Sequence, residues 1–269
     1  MREICPAAAS KKIFKKSIDK IILQCYNNKE LNKRKEKLKM NVMIIDTETT
    51  NSIEQPLPYD VGYAVVNTET GEILTEKSFI VAEIFLDKEL MKGAYYAEKV
   101  PQYWKDIKAG KRIIKSICNI RKEIKADCEK YHITKVGAYN MGFDKRATRN
   151  DIRYISNSLI KWFFPYNTEF FCIWNMSCTS ILNTENYINF AIENNFVSDC
   201  GNIQTSAEVV YKYLTNNVDF SESHTGLEDV KIEIEIMLAV LRSGMEYKEN
   251  IYSACWRTVQ NTRKAMCQG

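Results

Sequence analysis

The chain has 269 residues, of which 45% are hydrophobic, 27% are charged and 11% are aromatic. This composition is typical of a globular protein and excludes collagen-like, coiled-coil and wholly disordered architectures. No run approaches the roughly 18 apolar residues that a membrane-spanning helix needs. The start, Met1–Ser10, leads into lysines without an apolar core, which argues against a secretory signal. We therefore expect a soluble protein of the cytoplasm.

The nine cysteines of the chain could indicate disulfides or a zinc site. Their number is odd and no Cys-x-x-Cys pair occurs, while His132 and His224 are the only histidines. Structural zinc sites use paired ligands at short spacing, and disulfides are rare in intracellular proteins. We expect reduced, mostly buried thiols.

Positive charge is concentrated at the start of the chain. Residues 1–40 contain 12 Lys and Arg against 4 Asp and Glu, whereas the rest contains 26 against 30. Apolar residues from Ile13 to Cys25 recur at helical spacing between the lysines, as in a basic amphipathic helix. We predict that residues 1–40 form a basic extension, helical or disordered, which is either solvated or in contact with phosphates or a membrane surface. Met40 and Met43 are alternative starts.

The remainder alternates between strand and helix patterns and predicts one domain over residues 41–245, followed by a helical tail over residues 246–269. Strands are predicted at Val42–Asp46, Tyr59–Val66, Ile73–Ala82 and Thr134–Tyr139, and helices at about Lys111–Tyr131, Gly142–Ile155 and Gly226–Leu241. Three consecutive strands followed by alternation predict an α/β fold, with a mixed central sheet of about five strands flanked by helices.

The first candidate site is Asp46-Thr-Glu48, at the end of the first predicted strand. Residues i and i+2 of a strand point to the same face, so the two carboxylates lie side by side. They repel each other unless a cation joins them, and oxygen ligands favour Mg²⁺ or Mn²⁺. Taken alone, the pair is equally compatible with an exposed junction between strand and loop.

A further acidic residue, Asp144, follows the strand that ends at Tyr139. Open α/β sheets bind ligands at the carboxyl ends of their strands, which makes Asp144 a candidate metal ligand. The alternative is an acid in the first turn of a helix, favoured by the helix dipole.

The third candidate is the segment Ser223–Asp229. Thr225 and Glu228 have the spacing of a capping box, which predicts a helix beginning at Gly226. His224 then lies just outside the helix and Asp229 about one turn inside it, so that both can face one cavity. A histidine at such a junction is a candidate general base, although it could instead be a polar residue beside the helix cap.

The three motifs follow one another along the chain: Asp46-x-Glu48, Asn140-x-x-Phe143-Asp144 and His224-x4-Asp229. In order, spacing and context they resemble the motifs of the DEDDh superfamily of 3′-to-5′ exonucleases, and the chain is similar to stand-alone exonucleases of bacteria and their phages. The resemblance covers residues 42 to about 242 and implies a ribonuclease-H-like fold. The chain departs from the family at Tyr139, where members often have histidine. It departs again after the next strand, where members often have Asp-Thr and this chain has Ile173-Trp174-Asn175.

The resemblance also implies a mechanism. Four carboxylates would hold two Mg²⁺ or Mn²⁺ ions for an in-line displacement at phosphorus: Asp46, Glu48, Asp144 and Asp229. His224 would remove the proton of the attacking water, and Thr49 and Thr50 would contact the terminal nucleotide. The substrate would be a single-stranded 3′ end, of DNA in preference to RNA, and the products nucleoside 5′-monophosphates.

Two other functions stay open at this point. One is a catalytically silent protein of the same fold that binds nucleic acid or a protein partner. The other is a protein that docks to a membrane or partner through the basic extension.

Overall fold

The structure, a computed structural model, describes residues 40–157 and 159–268. Residues 1–39 lie outside this part, so the predicted basic helix and its contacts stay predictions. Within the described residues no helix has both the length and the apolar composition needed to cross a membrane.

A mixed sheet forms the centre of the fold. Its strands are β1 (Asn41–Thr50), β2 (Leu57–Asn67), β3 (Ile73–Val81), β4 (Ile113–Lys115), β5 (Lys135–Ala138) and β6 (Glu169–Cys172). They lie in the order β4-β3-β2-β1-β5-β6. β1, β2 and β3 pair antiparallel, while β4, β5 and β6 each pair parallel with their neighbours. The predicted α/β class with a mixed sheet flanked by helices is confirmed.

The helices fill the connections between strands and the second half of the chain. They are α1 (Ala82–Phe85), α2 (Lys88–Met91), α3 (Val100–Lys108), α4 (Ile117–Lys130), α5 (Met141–Asn150), α6 (Ile173–Cys178), α7 (Glu185–Glu193), α8 (Ala207–Thr215), α9 (Gly226–Arg242) and α10 (Trp256–Met266), with short 3-10 and π-helical turns at Ala97–Lys99 and Asp151–Ile155.

The two faces of the sheet are covered by different helices. On one face, Met43 and Ile45 of β1 belong to a buried apolar cluster with residues of α1, α3 and α4. Because side chains alternate along a strand, Ile44, Asp46 and Glu48 point to the opposite face. That face is covered by α9, which packs against β1 and β2.

The sheet has six strands where about five were predicted. The additional strand is β4, whose residues were predicted to begin a long helix at about Lys111; the helix α4 begins instead at Ile117, where Ser116 accepts a hydrogen bond from the Asn119 amide. The parallel pairing of β4 with the edge strand β3 accounts for the difference, since periodicity alone does not separate a short apolar run in a strand from one in a helix.

The predicted C-terminal tail contains α10. Its Val259 side chain is fully buried, and Gln260 exchanges two hydrogen bonds with the backbone of Ile203. α10 also packs against α6 and α7. These contacts attach the end of the chain to the helical half of the domain.

Two glycines allow α9 to approach the sheet. Gly62 of β2 is paired with Asp46 of β1, and a Cβ atom at Gly62 would lie 2.2 Å from the backbone of Gly226. A Cβ atom at Gly226 would in turn lie 2.8 Å from the backbone nitrogen of Gly62 and 3.2 Å from the carbonyl oxygen of Asp46. The first turn of α9 therefore rests directly on the backbone beside Asp46.

We expect Gly62→Ala to destabilise the protein by about 3 kcal/mol, because the added methyl group meets backbone atoms that have no room to move. Gly110→Ala is the control: Gly110 has φ of +71° and no atom near its Cβ position, so this change costs only the left-handed backbone strain of about 1 kcal/mol. Urea denaturation of both variants in EDTA measures the difference. Equal losses in the two variants would contradict the close contact.

Candidate active site

Three of the predicted carboxylates lie together on the face of the sheet that α9 covers. Asp46 and Glu48 extend from β1 and Asp229 from the first turns of α9, and one oxygen atom of each lies within 4.8 Å of the others. β1 runs on to Thr50 rather than ending at Asp46, so both acids of the Asp-x-Glu motif are inside a strand and share the face that α9 covers. Glu48 is 8% exposed and Asp229 6%.

The carboxylates of this group raise one another's pKa values. Burial, reinforced by the Asp229 charge, raises the pKa of Glu48 to about 9. Burial and the charge of Glu222 raise the pKa of Asp229 to about 8. Burial and the charge of Asp144 raise the pKa of Asp46 well above its usual value. The charges that shift the pKa values of Asp46 and Glu48 most are all carboxylates, so the negative charge that these two groups gain on ionising has no cationic side chain to balance it among those neighbours.

Asp144, the fourth predicted carboxylate, lies in the first turn of α5 and is 3% exposed. Its Oδ1 atom accepts a hydrogen bond of 2.8 Å from the hydroxyl of Thr47. Thr47 lies between the two acids of β1, and this bond attaches α5 to the same strand. Burial raises the pKa of Asp144 to about 7. Asp144 is thus an electrostatic neighbour of Asp46, although it is not one of the three acids whose oxygens meet within 4.8 Å.

A network of hydrogen bonds holds the start of α9 in place. The Oδ2 atom of Asp60 accepts bonds from the amide of Gly226 at 3.0 Å, the guanidinium of Arg112 at 3.0 Å and the hydroxyl of Tyr103 at 2.8 Å. Arg112 also forms an ion pair of 2.7 Å with Glu228. The amides at a helix N-terminus lack partners within the helix, and here a buried carboxylate of β2 satisfies one of them.

The helix begins at Gly226 as predicted, but its cap differs from the predicted capping box. The Thr225 hydroxyl donates to the Glu228 side chain at 2.7 Å instead of capping a backbone amide. The Thr225 amide donates to the Oδ2 atom of Asp229 at 3.1 Å. The amide of the cap residue is therefore bound by Asp229, while Glu228 pairs with Arg112 and accepts the Thr225 hydroxyl.

His224 lies in the loop that leads into α9 and has a left-handed backbone, with φ of +53°. Its ring stacks on that of Tyr96, with centroids 4.3 Å apart and planes 10° apart. Its Nδ1 atom lies 3.9 Å from the Oε2 atom of Glu222, and its side chain is 30% exposed. Partial burial lowers the pKa of His224. The tyrosine ring restricts the orientation of the imidazole, and the lowered pKa favours its neutral form.

Thr49 and Thr50, the predicted substrate contacts, hold the loop that carries Tyr96. The Thr50 hydroxyl is buried and donates to the carbonyl oxygen of Leu90. The Thr49 carbonyl accepts a hydrogen bond from the Tyr95 amide at 3.4 Å. The end of β1 is thereby linked through this loop to the imidazole of His224.

Sequence reasoning missed two acids near the site, Glu222 and Glu233. Burial raises the pKa of Glu222 to about 7, and burial with the Asp144 charge raises the pKa of Glu233 well above its usual value. Glu233 could have been found, because it is four residues after Asp229 and therefore on the same face of the predicted helix. Glu222 carries no such signal, since its position depends on the loop before α9.

The residues of this group fit a divalent cation. Their donor atoms are carboxylate oxygens, which hard cations such as Mg²⁺ and Mn²⁺ prefer. Three of these oxygens already converge, and a cation would relieve the repulsion that raises their pKa values.

Among the comparisons with known proteins, only solved structures match this chain. No protein-family model matches the chain, and no characterised sequence matches it. Among solved structures, Escherichia coli exonuclease I in complex with an oligonucleotide is 12% identical at a TM-score of 0.47, covering 75% of this chain and 40% of that one. A full-length 3′-exonuclease is 16% identical at a TM-score of 0.49, covering 79% of this chain and 86% of that one.

A 3′-exonuclease that recognises the histone mRNA stem-loop is also 16% identical, with a TM-score of 0.43, and covers 93% of this chain and 78% of that one. This chain spans less than half the length of the exonuclease I chains that it matches. Because these identities are low, the matches bear on the fold alone, and the function has to be inferred from the side chains of this chain.

We expect the metal-free protein to lose thermal stability as the pH rises from 6 to about 9. Unfolded Asp and Glu have pKa values near 4, whereas those of Asp144, Asp229 and Glu48 are raised to about 7, 8 and 9 in the folded protein. The folded state therefore binds more protons in this interval, and stability that is present at low pH is lost as these groups ionise. The Tm in EDTA should fall over this range, and saturating Mg²⁺ should remove the fall.

Two substitutions locate the effect. Glu48→Gln removes one of the titrating groups and should flatten the pH dependence of the Tm, whereas Glu193→Gln changes an exposed glutamate of α7 and should leave it as in the wild type. A Tm in EDTA that is constant or rises between pH 6 and 9 would contradict the assignment.

Proposed function

We propose that this protein is a metal-dependent 3′-to-5′ exonuclease that hydrolyses nucleic acid to nucleoside 5′-monophosphates. The observation that carries the proposal is the group of Asp46, Glu48 and Asp229, whose oxygens meet within 4.8 Å, with His224 on the loop that leads into α9. The 3′-to-5′ direction comes from the resemblance of the three motifs to the DEDDh exonucleases. The cytoplasmic location stays a prediction.

The cofactors proposed are two Mg²⁺ or Mn²⁺ ions. When bound, such ions supply the positive charge that stabilises the attacking and departing oxygens of an in-line displacement at phosphorus. Asp46, Glu48 and Asp229 would hold one ion. Asp144, fixed by the Thr47 hydroxyl, would complete the ligand set on the side of α5.

His224 accepts the proton of the attacking water in this proposal. Its lowered pKa keeps it unprotonated at neutral pH, as a general base requires. Stacking on Tyr96 restricts the rotation of the ring, and Glu222 lies on the Nδ1 side. The proton is thus taken up beside a carboxylate that stabilises the imidazolium.

The proposed substrate is a single-stranded 3′ end, with DNA favoured over RNA. Tyr95 is 81% exposed, and its ring lies edge-on to that of Tyr96, which stacks on His224. Bases of single strands stack on exposed aromatic rings of this kind without sequence preference. Tyr95 is therefore the side chain that we expect to contact a base next to the scissile phosphate.

We expect the full-length protein with Mn²⁺ to shorten 5′-labelled single-stranded DNA stepwise from its 3′ end, and RNA of the same sequence more slowly. Asp46→Asn should reduce the rate about 10³-fold or more, because it removes a ligand of the cations that would stabilise the negative charge developing in the transition state. Asp199→Asn, at an exposed loop residue, should cut as the wild type does. Gel analysis of the labelled products measures both rates.

Binding of the oligonucleotide without any cleavage would refute the proposal and favour the catalytically silent alternative. Faster cleavage of RNA than of DNA would reverse the substrate preference but not the reaction class.

We expect His224→Asn to lower turnover about 10²–10⁴-fold, the usual contribution of general-base catalysis. The wild-type rate should rise with pH through the titration of His224, whose pKa is lowered by burial, and then level off; the variant should lack this limb. Mn²⁺ binding, measured by calorimetry, should be unchanged, since imidazole is not a proposed ligand. Turnover within about threefold of the wild type at saturating Mn²⁺ would exclude the base role.

A further inference from the structure

A cavity of about 280 Å³ lies beside α5, outside the acidic group. It is formed by α5, by Phe170 of β6 and by residues 161–168, which we call the aromatic loop. Its volume is near the lower end of the roughly 300–1,000 Å³ that is usual for small-ligand sites. The cavity therefore has room for one small group, such as a nucleobase, and not for a helix of another protein.

The charged side chains of the cavity are all positive. Its described lining residues include Lys145, Arg149 and Lys161 and no acidic side chain. None of these three cations forms an ion pair within the described part of the chain. The Lys145 ammonium lies instead over the ring of Phe170, at 4.1 Å from its centroid. The ligand that complements these groups is an anion.

The aromatic loop adds exposed rings on an anchored backbone. Phe163 and Phe164, in its middle, are buried and belong to the apolar cluster on the α4 face of the sheet. The flanking residues Trp162 and Tyr166 are 68% and 86% exposed. Because the two phenylalanines anchor the loop in the core, the rings of Trp162 and Tyr166 are kept in solvent. Exposed apolar surface of this extent marks a site of interaction.

The helix α5 connects the cavity to the candidate active site. Asp144 is buried and accepts a hydrogen bond from Thr47 of β1, and the next residue, Lys145, lines the cavity. Arg149 is four residues beyond Lys145 and therefore on the same side of the helix, about 6 Å farther along its axis. The two cations thus form a row that leads away from Asp144.

An acidic segment of another protein is the competing ligand for such cations. Its carboxylates would pair with Lys145 and Arg149, but they have no flat surface for the rings of Trp162 and Tyr166. Single-stranded nucleic acid has both features, because its bases stack on aromatic rings while its phosphates pair with cations along the same groove. It is therefore the ligand that uses the whole cavity.

Building on the proposed function, we propose that this cavity binds the single strand upstream of its 3′ end. Lys145 and Arg149 bind phosphates, and the rings of Trp162 and Tyr166 stack on bases. With the 3′-terminal phosphodiester at the acidic group, the part of the strand that reaches the cavity lies on its 5′ side. Short strands contact the acidic group alone and longer strands contact both surfaces, so affinity rises with length until the cavity is filled.

The test is the binding of oligothymidylates of about 3 and about 12 nucleotides, below and within the usual site sizes for single strands. The full-length protein is used in EDTA, which prevents cleavage, and fluorescence anisotropy of a 5′ label gives the Kd. The wild type should bind the longer strand more tightly. Trp162→Ala should weaken binding of the longer strand about 5–100-fold, the usual effect of removing one stacking ring.

The salt dependence of the same Kd tests the cations. Arg149→Gln should weaken binding of the longer strand and lower the slope of log Kd against log salt by about 0.7, the contribution of one phosphate contact to a single strand. The matched control is Arg257→Gln in α10, which changes an exposed arginine whose guanidinium lies beside the ring of Trp256. It should keep the Kd and the slope of the wild type.

A second measurement reports the stacking itself. Trp162 is more exposed than the other three tryptophans of the chain, and stacking on a base quenches tryptophan fluorescence. The longer strand should quench the wild type, and Trp162→Phe should lose most of the quench while it still binds. Melting curves establish that the variants, all at exposed side chains, are folded.

The inference and the proposed function fail in different ways. A wild-type Kd for the longer strand in either Trp162→Ala or Arg149→Gln would overturn the cavity as a binding site even if the enzyme cuts DNA. An equal loss in Arg257→Gln and Arg149→Gln would also overturn it, since the effect would then be one of overall charge. Binding that the cavity variants weaken, in a protein that cuts neither DNA nor RNA, would support the cavity and refute the exonuclease.

Competition distinguishes nucleic acid from an acidic protein segment. Unlabelled oligothymidylate should displace the labelled strand at a lower concentration of charge than poly-glutamate does. Equal displacement by poly-glutamate would show that the cavity recognises charge without bases, and it would overturn the proposal in favour of an acidic partner.

Discussion

The contact of Gly62 with Gly226 is the constraint on which the site depends. Backbone lies on backbone where α9 meets β2, and Gly62 is directly opposite Asp46 in the sheet. Any side chain at either glycine would push α9 outward and carry Asp229 away from Asp46. The absence of a side chain at these two positions therefore brings together acids that are separated by most of the domain in sequence. The buried Asp60 adds direction to this contact, because it accepts the Gly226 amide and so fixes the axis of α9 relative to β2.

Such close packing has an electrostatic consequence. Several carboxylates enter a region of low solvent exposure, and the chain compensates them unequally. Asp60 receives three donors, among them the guanidinium of Arg112, and it belongs to the support of the fold. Burial, and after it the charges of neighbouring carboxylates, raises the pKa values of Asp46 and Glu48. Asp60 therefore has a cationic side chain beside it, whereas the charged neighbours of Asp46 and Glu48 are carboxylates, whose charge a divalent cation could balance.

Much of this arrangement could be predicted from the sequence, for identifiable reasons. The strand pattern of β1 and the helix start at Gly226 depend on short-range preferences, alternation and termination signals, which are local in sequence. β4 was not predicted, because three residues become a strand only through pairing with β3. The helix cap was also predicted with the wrong acceptor, since the Thr225 amide is bound by Asp229 and not by Glu228. Arg112, more than a hundred residues away, draws Glu228 into an ion pair, and no local pattern reports such competition.

The stacking of His224 on Tyr96 shows how distant elements come to control one side chain. The loop that carries Tyr96 is attached to the end of β1 through Thr49 and Thr50, immediately after the acids of the strand. A displacement of β1 would therefore move Glu48 and, through this loop, the surface on which the imidazole rests. His224 is held from the other side by the chain that leads into α9, whose position depends on Gly226. The proposed base and the carboxylates are consequently positioned by the same two elements, β1 and α9, although they lie on different segments of the chain.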